Sequence, residues 1–221
     1  QRLIESSGMV AASIAPSFAA VLNRWQVSRL ASALRALGFR YIGQTSHGAY
    51  QVSTHALRII KKDGSKPYIG TACPAIVNYI EKYKPHLVEN LIPIVSPMLA
   101  HGRMLKERLG KDTKVIFIGP CVAKKSEILK PANKGIVDCV LTFKELMIWL
   151  NQKGINLSNC EESSFDERPV HLAQLYPLPG GMIKTAGLEE DGFDLKLLRV
   201  DGINNVKSLI EGLPEDSSYT L

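Results

Sequence analysis

The sequence predicts an α/β fold with a largely parallel sheet, and two observations carry that prediction. Over the first two thirds of the 221-residue chain, short apolar runs that suit β-strands alternate with longer runs of helical periodicity. The run KVIFI at 114–118 is the clearest buried strand of the series. Beyond residue 151 the pattern becomes irregular, with an acidic stretch and then several Pro and Gly residues.

The first half begins with a β-compatible run that Pro16 closes. The next helix shows apolar residues on one face, and Gly38 suits its C-terminal stop. Pro74 stands at the first position of a later helix, where proline is favoured. In order, the predicted elements are a strand over 9–15, a helix over 27–37, a strand over 39–42, a helix ending near 62, a strand over 68–72 and a helix over 74–83.

The second half continues the alternation of strands and helices. Gly110 suits the end of one helix, and Thr142 is a good N-cap for another. In order, the predicted elements are a helix over 97–109, a strand over 114–118, a strand over 136–141, a helix over 143–150, a short strand at Val200 and a helix over 204–213.

Composition excludes several classes of protein. With 27 Lys and Arg against 21 Asp and Glu, the net charge is +6, and the lysine pairs lack the interleaved aromatic residues of a nucleic-acid surface. No apolar run reaches the roughly 18–20 residues of a membrane helix. Four cysteines without a C-x-x-C pair indicate free thiols in a reducing cytoplasm. No metal-ligand spacing connects the histidines, for which surface or core roles are favoured: His47, His55, His86, His101 and His171.

Two of the cysteines occupy the same kind of place. Cys73 and Cys121 each follow a predicted strand directly and precede a helix. Ligands of open parallel sheets bind at the carboxyl ends of the strands, and thiolates there can hold iron. The alternative is two small residues in tight turns. For the others, we expect Cys139 to be a buried structural thiol and Cys160 an exposed loop thiol.

The residues around these cysteines resemble a known family. The segments TACP (71–74) and GPCVAKKSE (119–127) are similar to the motifs T-S-C-C-P and M-P-C-x-x-K-x-x-E of iron–iron hydrogenases. SIAP at 13–16 and SP at 96–97 also resemble parts of that catalytic domain, in the right order. The resemblance implies an iron-only hydrogenase-like fold of two lobes, approximately 1–112 and 113–221, with a cluster site between them.

The resemblance also implies roles for individual residues. Cys73 and Cys121 match ligands of the 4Fe–4S part of the H-cluster. Lys124 matches a lysine that contacts a cyanide ligand of the diiron part, where a charge-assisted hydrogen bond is strong. The remaining matches are Ala15 and Pro16, expected beside the cofactor, and Ser96, expected on the proton path.

Four departures from the family pattern alter the expected activity. Ala72 stands where active members place a proton-donating cysteine, and its methyl group cannot carry a proton. Gly119 replaces the usual methionine, and the family's proton-path glutamates have no match within 49–55. The closing motif with two more cluster ligands is absent. We therefore expect a central fragment that binds no cofactor alone, from a divergent member of the family with slow turnover.

Two further hypotheses accompany the first, which is a cytoplasmic, sensory-class iron–iron hydrogenase from an anaerobe. Its expected partners are ferredoxin-type electron carriers or flanking ferredoxin-like domains, with a possible downstream signalling domain and neither nucleic acid nor membrane. The alternative is a non-catalytic iron–sulfur carrier or assembly factor related to prelamin recognition factor-like proteins, and a single Cys-Pro in the first motif suits both hypotheses. The third is a degenerate fold used for protein contacts.

Overall fold

A computed structural model describes residues 2–6, 8–63, 66–187, 196–197, 200–212 and 219–220. The helices are α1 (Arg2–Glu5), α2 (Phe18–Val21), α3 (Arg24–Ala36), α4 (Ser46–Lys62), α5 (Pro74–Tyr83), α6 (Pro97–Leu109), α7 (Ala123–Glu127), α8 (Phe143–Gln152), α9 (Gly181–Thr185) and α10 (Ile203–Glu211). The strands are β1 (Val10–Ile14), β2 (Tyr41–Gln44), β3 (Lys114–Gly119), β4 (Cys139–Thr142), β5 (Lys196–Leu197) and β6 (Tyr219–Thr220). Short 3₁₀ helices span Pro85–Asn90, Pro131–Asn133, Leu157–Asn159 and Leu172–Leu175.

The main sheet is parallel throughout and has the strand order β2-β1-β3-β4. The central strand β1 is buried along its whole length, and Ile14 at its end lies opposite Gln44 on one side and Ile118 on the other. Strands buried on both faces read as continuous apolar runs. This is why the alternation of the sequence predicted a parallel α/β fold, and that prediction is confirmed.

Helices cover both faces of the sheet, and two of them approach unusually closely. α4 packs against α6 at Gly48, where an added Cβ would lie 2.2 Å from the Pro97 carbonyl oxygen and 2.7 Å from the His101 nitrogen. Only glycine permits that distance. The close crossing fixes the start of α6 against the middle of the sheet.

The free side of β2 is covered by a segment that we call the strap, residues 163–167. The backbone nitrogen of Asp166 donates to the Ile42 carbonyl over 2.9 Å, and its carboxylate accepts from the Ile42 nitrogen over 2.8 Å. Arg35 on α3 pairs with the same carboxylate at 2.9 Å. The strap thereby pairs the amide and carbonyl of Ile42, which an edge strand would otherwise expose.

Several predicted elements differ from the structure. The strand predicted over 68–72 is irregular and makes a single parallel bridge, between Ile69 and Leu91. Val200 lies outside any strand. The predicted strand over 39–42 is found two residues later, since Phe39 turns into the core after the positive φ of Gly38. The final predicted helix is α10, and Leu213 at its expected end lies outside the described residues.

The main sheet joins strands from both sides of residue 112. A division into lobes 1–112 and 113–221 stays a prediction. In the described part of the chain, no helix combines the length and the hydropathy needed to cross a membrane.

Candidate metal centre

The ends of β1 and β3 place two predicted site segments side by side. The Ala15 nitrogen donates to the Ile118 carbonyl over 2.8 Å, so the chain leaves both strands in register. Cys121 follows β3 after two residues, and its side chain is half-buried. Ala15 and Pro16 therefore stand next to the turn that carries Cys121.

A buried lysine brings the Cys73 turn to the same place. The Lys124 ammonium, on the short helix after Cys121, donates to the Ala72 carbonyl over 3.0 Å. It also donates to a Glu127 carboxylate oxygen over 2.7 Å, and the two residues are 8% and 7% exposed. The pair compensates charge within the protein and ties the two cysteine turns together.

Cys73 is the N-cap residue of α5, and its side chain is exposed. Its carbonyl accepts from the Ile76 nitrogen over 3.1 Å and begins the helix. Thr71 donates to the carbonyls of Ile92 and Ile94 over 3.2 and 3.0 Å, which anchors the other side of the turn. These bonds hold the cysteine in place although no sheet strand precedes it.

A cavity of about 310 Å³ opens beside Ala72 and Cys73. Its described wall is apolar for the most part and comes from α4, α5, α10 and the segment 176–186. The α4 residues on this wall are Ser53, Ala56, Leu57 and Ile60. Of the lining residues described, the ionisable ones are Cys73, Tyr176 and Asp201.

A second polar cluster lies under the strap, and the sequence analysis did not predict it. His101 is fully buried, with Nδ1 2.8 Å from the Ser13 hydroxyl and Nε2 3.1 Å from a Glu167 carboxylate oxygen. The other Glu167 oxygen accepts from Arg108 over 3.2 Å and from the Tyr41 hydroxyl over 3.3 Å. The one usable signal was a histidine within an apolar helix face, since such a residue needs a buried partner.

The charges of this cluster shift the pKa of two members. Burial pushes the pKa of Glu167 upwards, but the hydrogen bond from His101 and the nearby charges of His101 and His47 outweigh it, so the pKa lies below 4.5. Burial, followed by the charge of Glu167, raises the pKa of Tyr41 to about 12. The carboxylate is therefore the stable form of Glu167, and it anchors the strap to α6.

Comparison with known proteins identifies the family to which the chain belongs. Residues 8–219 match the family profile "Iron only hydrogenase large subunit, C-terminal domain". The chain belongs to the iron-only hydrogenase large subunit family. It is 28% identical over 214 residues to the periplasmic Fe hydrogenase large subunit of Nitratidesulfovibrio vulgaris, covering 83% of this chain and 51% of that protein.

Other relatives of this hydrogenase-family chain carry a different name. The cytosolic Fe-S cluster assembly factor NAR1 of Vanderwaltozyma polyspora is 34% identical over 110 residues, 50% of this chain and 21% of that protein. The chain thus spans about half the length of the hydrogenase and a smaller share of NAR1.

Solved structures agree on the fold. Apo FeFe-hydrogenase HydA1 from Chlamydomonas reinhardtii gives a TM-score of 0.62 at 23% identity, covering 72% of this chain and 46% of that one. A FeFe-hydrogenase structure on oxygen inactivation gives 0.64 at 22% identity, covering 85% and 56%.

The donor set of this hydrogenase-family chain fits part of a cluster site. Cys73 and Cys121 lie on joined turns, whereas Cys139 lies on β4 and Cys160 donates to the Asn156 carbonyl at 3.4 Å. Both latter side chains are half-buried. Within the described ranges, no three His, Cys, Asp or Glu side chains form a metal-ligand group. Two thiolates are half of what a four-cysteine cluster needs.

Two other predicted positions have clear structural surroundings. Ser96 is the buried N-cap residue of α6. Within the described part of the chain its hydroxyl has no hydrogen-bond partner and it does not line the cavity. At Gly119, a Cβ would lie 2.6 Å from the Phe117 ring and 3.1 Å from the Ala15 Cβ, so the Phe117 ring takes the space that a side chain at position 119 would need. The roles of Cys73, Cys121, Lys124, Ala15, Pro16, Ala72 and Ser96 stay predictions.

Proposed function

We propose that this chain is the catalytic-type domain of a divergent iron–iron hydrogenase. It activates hydrogen slowly and reversibly (2H⁺ + 2e⁻ ⇌ H₂) and serves as a sensor in the cytoplasm of an anaerobe. The observation that carries the proposal is the turn at Ala72 and Cys73. It keeps the thiol expected to bind the cluster beside Lys124, but it lacks the thiol expected to deliver protons.

The composition of the cavity wall supports the proposed loss of proton delivery. Its α4 face presents one serine and apolar side chains, and Asp201 is the single carboxylate residue of the described lining. Losing a general acid typically slows a reaction by roughly 10²–10⁴-fold. Slow turnover that is read as a signal suits this site better than bulk hydrogen metabolism.

The contacts of Lys124 support the proposal that this site still binds a cluster. An ammonium has three N–H donors, and the bonds to Ala72 and Glu127 use two of them. No described residue accepts from the third, which would donate to an anionic ligand of a diiron group. That group, when bound, would supply the hydrogen chemistry. Cys73 and Cys121 would hold the adjoining 4Fe–4S cluster together with two cysteines from outside this chain.

The proposed partners follow from the need of this reaction for an electron donor and acceptor. We propose ferredoxin-type carriers, or flanking ferredoxin-like domains, as the electron source and a downstream signalling domain as the output. Neither nucleic acid nor membrane has a role in this scheme.

The test is Ala72→Cys in the cluster-loaded full-length protein, with Ala186→Cys as the matched control, because Ala186 also lines the cavity. Hydrogen turnover should rise for Ala72→Cys by less than the ~10²–10⁴-fold of an intact relay. It should stay at the wild-type level for Ala186→Cys. Unchanged turnover in Ala72→Cys, in a protein shown to carry the whole cofactor, contradicts the proposal.

A second candidate function is an iron–sulfur carrier or assembly factor, favoured by the identity to NAR1 proteins. Metal analysis and infrared spectroscopy of the full-length protein separate the two. Cyanide bands of a diiron group support the hydrogenase. Iron and sulfide of ordinary clusters without those bands support the carrier.

A further inference from the structure

A continuous chain of hydrogen bonds runs through the buried cluster around His101. The Glu167 carboxylate bonds to His101 Nε2 over 3.1 Å, and His101 Nδ1 bonds to the Ser13 hydroxyl over 2.8 Å. That hydroxyl lies 2.9 Å from the hydroxyl of Thr45, the N-cap residue of α4. All four residues are buried, with exposures between 0% and 8%. The chain therefore crosses the interior from the strap through α6 to β1 and the start of α4.

The carboxylate at one end decides where neutral His101 carries its hydrogen. Burial acts to raise the pKa of Glu167, but the hydrogen bond from His101 and the charges of His101 and His47 bring it below 4.5. The ionised carboxylate only accepts hydrogen bonds, so the hydrogen of the neutral imidazole lies on Nε2. Nδ1 is then an acceptor for the Ser13 hydroxyl, whose oxygen accepts from Thr45.

The two hydroxyls at the other end allow the same chain to hold one more proton. A protonated Nδ1 must donate, and Ser13 Oγ can accept because a hydroxyl is both a donor and an acceptor. Ser13 then turns its own hydrogen towards Thr45 Oγ1. The three bonds keep their partners, and the imidazolium lies beside the carboxylate that balances its charge. A backbone amide or carbonyl in the place of the Ser13 hydroxyl would suit one charge state alone.

The other groups around Glu167 leave its bond to His101 intact. The Tyr41 hydroxyl, from β2, donates to the second carboxylate oxygen over 3.3 Å. Arg108, one of the α6 residues, donates to that same oxygen over 3.2 Å and has a side chain that is 61% exposed. The oxygen that accepts from His101 is therefore the one nearest to an imidazole, and it is the counter-charge for an added proton.

A second histidine limits the cluster to one added proton. His47 on α4 stacks on His101 with ring centroids 6.0 Å apart, and its Nε2 lies 3.8 Å from the same Glu167 oxygen. His47 Nε2 donates to the Arg168 carbonyl over 2.9 Å instead. Two imidazolium ions at that distance would repel each other across a single carboxylate. The direct bond of His101 to Glu167 favours His101 as the residue that takes the proton.

We propose that the cluster is a proton-binding site, in which His101 takes up one proton at Nδ1 while Ser13 and Thr45 reverse their hydrogen bonds. Uptake turns the neutral hydrogen bond between α6 and the strap into a buried ion pair. The cysteines and the lysine expected at the metal centre take no part in this chain of bonds, so the test uses the 221-residue chain itself.

The experiment follows the histidine side chains by ¹⁵N NMR between about pH 8 and pH 5, the range in which histidines change charge. At pH 8 we expect His101 to carry its hydrogen on Nε2 alone. As the pH falls, Nδ1 should gain a proton while circular dichroism shows that the chain stays folded. His55 and His86, which are exposed, are the internal references for histidines outside the cluster.

Variants assign the proton uptake to the chain of hydroxyls. Ser13→Ala removes the acceptor of the protonated Nδ1. Because a hydrogen bond from a charged donor is stronger than a neutral one, His101 should bind the proton about tenfold more weakly, and its titration midpoint should fall by about one pH unit. Thr45→Val keeps the shape of the side chain and should lower the midpoint by a smaller amount, which provides a second test if Ser13→Ala does not fold.

Ser46→Ala is the matched control for both variants. Ser46 is also fully buried, and in the described part of the chain its hydroxyl has no hydrogen-bond partner, so its removal should leave the His101 midpoint unchanged.

Four results would overturn the proposal. They are a hydrogen on Nδ1 instead of Nε2 at pH 8, a His101 that keeps one charge state from pH 8 to pH 5, proton uptake that occurs only as the chain unfolds, and a midpoint in the folded hydroxyl variants equal to that of Ser46→Ala.

Discussion

The buried pair of Lys124 and Glu127 offers the sharpest test of how the two cysteine turns are joined. Lys124→Met keeps the length and apolar stem of the side chain but removes the charge and its N–H donors. The Glu127 carboxylate, 7% exposed, then loses its partner at 2.7 Å, and the Ala72 carbonyl loses its donor at 3.0 Å. Because a buried carboxylate without a counter-charge is costly, we expect a large loss of stability.

The size of that loss follows from the burial of the pair. Removing one partner of a buried ion pair costs about 3–5 kcal/mol, because the other charge stays behind in a poorly solvated place. Whole domains have free energies of unfolding of about 5–15 kcal/mol, so this is a large share. With a urea slope of about 2–3 kcal/mol/M, the unfolding midpoint should fall by about 1–2 M.

Urea unfolding followed by circular dichroism measures the effect. The neighbouring residue supplies the control, because the Lys125 side chain is 43% exposed and pairs with Glu145, which is 41% exposed. Exposed pairs contribute about 0–1 kcal/mol, so Lys125→Met should shift the midpoint little. The double variant Lys124→Met/Glu127→Met should recover most of the loss, because it removes both charges.

Equal midpoints for Lys124→Met and Lys125→Met would refute this account. So would a double variant as unstable as the single one, since the loss would then come from packing rather than from a stranded charge.

Two further predictions concern α6 and its contacts. The pKa of Glu167 lies below its ordinary value of 4.5, so its stabilising contribution is complete above that value and disappears as the pH falls through the lower folded-state pKa. In acid titration of unfolding, Glu167→Gln should therefore be less stable than wild type near neutral pH and lose less stability as the pH falls. If the free energy of unfolding fell equally with pH in both proteins, this prediction would be contradicted. Gly48→Ala should cost about 1–3 kcal/mol or more, because its Cβ meets the Pro97 carbonyl at 2.2 Å, whereas Gly8→Ala, with nothing within 4 Å, should shift the thermal midpoint little. Similar midpoints for both alanine variants would rule out the proposed crossing of α4 and α6.

The alternation of strands and helices was readable from the sequence wherever local signals agreed. Thr142 and Glu145 form a capping box at α8, and Gly38 and Gly110 end helices with positive φ. The strand predicted over 68–72 failed for a tertiary reason. Its apolar residue Ile69 packs against α10 and the 85–92 segment instead of joining the sheet. Periodicity shows that a run is apolar but does not show which element it packs against.

The candidate site was readable from motifs, but its geometry was not. The sequence placed Cys73 and Cys121 on equivalent turns of one sheet, whereas the structure joins the turns through Lys124 and Ala72. We expected Lys124 to contact a ligand. Nothing in the local sequence predicts its hydrogen bond to the carbonyl of Ala72, which lies 52 residues earlier.

The cluster around His101 was beyond sequence reasoning for a similar reason. Its partners Ser13 and Glu167 lie 88 and 66 residues away, and no spacing rule connects them. Glu167 belongs to an acidic stretch that is typical of a solvated loop, yet its side chain is 5% exposed. Contacts at such separation are set by the packing of the whole fold.

The strap over β2 has a consequence for how the protein behaves at high concentration. A bare edge strand offers its amide and carbonyl groups to any neighbouring chain and promotes edge-to-edge aggregation. Asp166 occupies both groups of Ile42 with its own backbone and side chain. The strap thus shields the amide and carbonyl of Ile42 from a neighbouring chain. Because the Glu167 carboxylate joins the strap to His101 and Arg108 on α6, protonation of that carboxylate in acid would weaken this attachment.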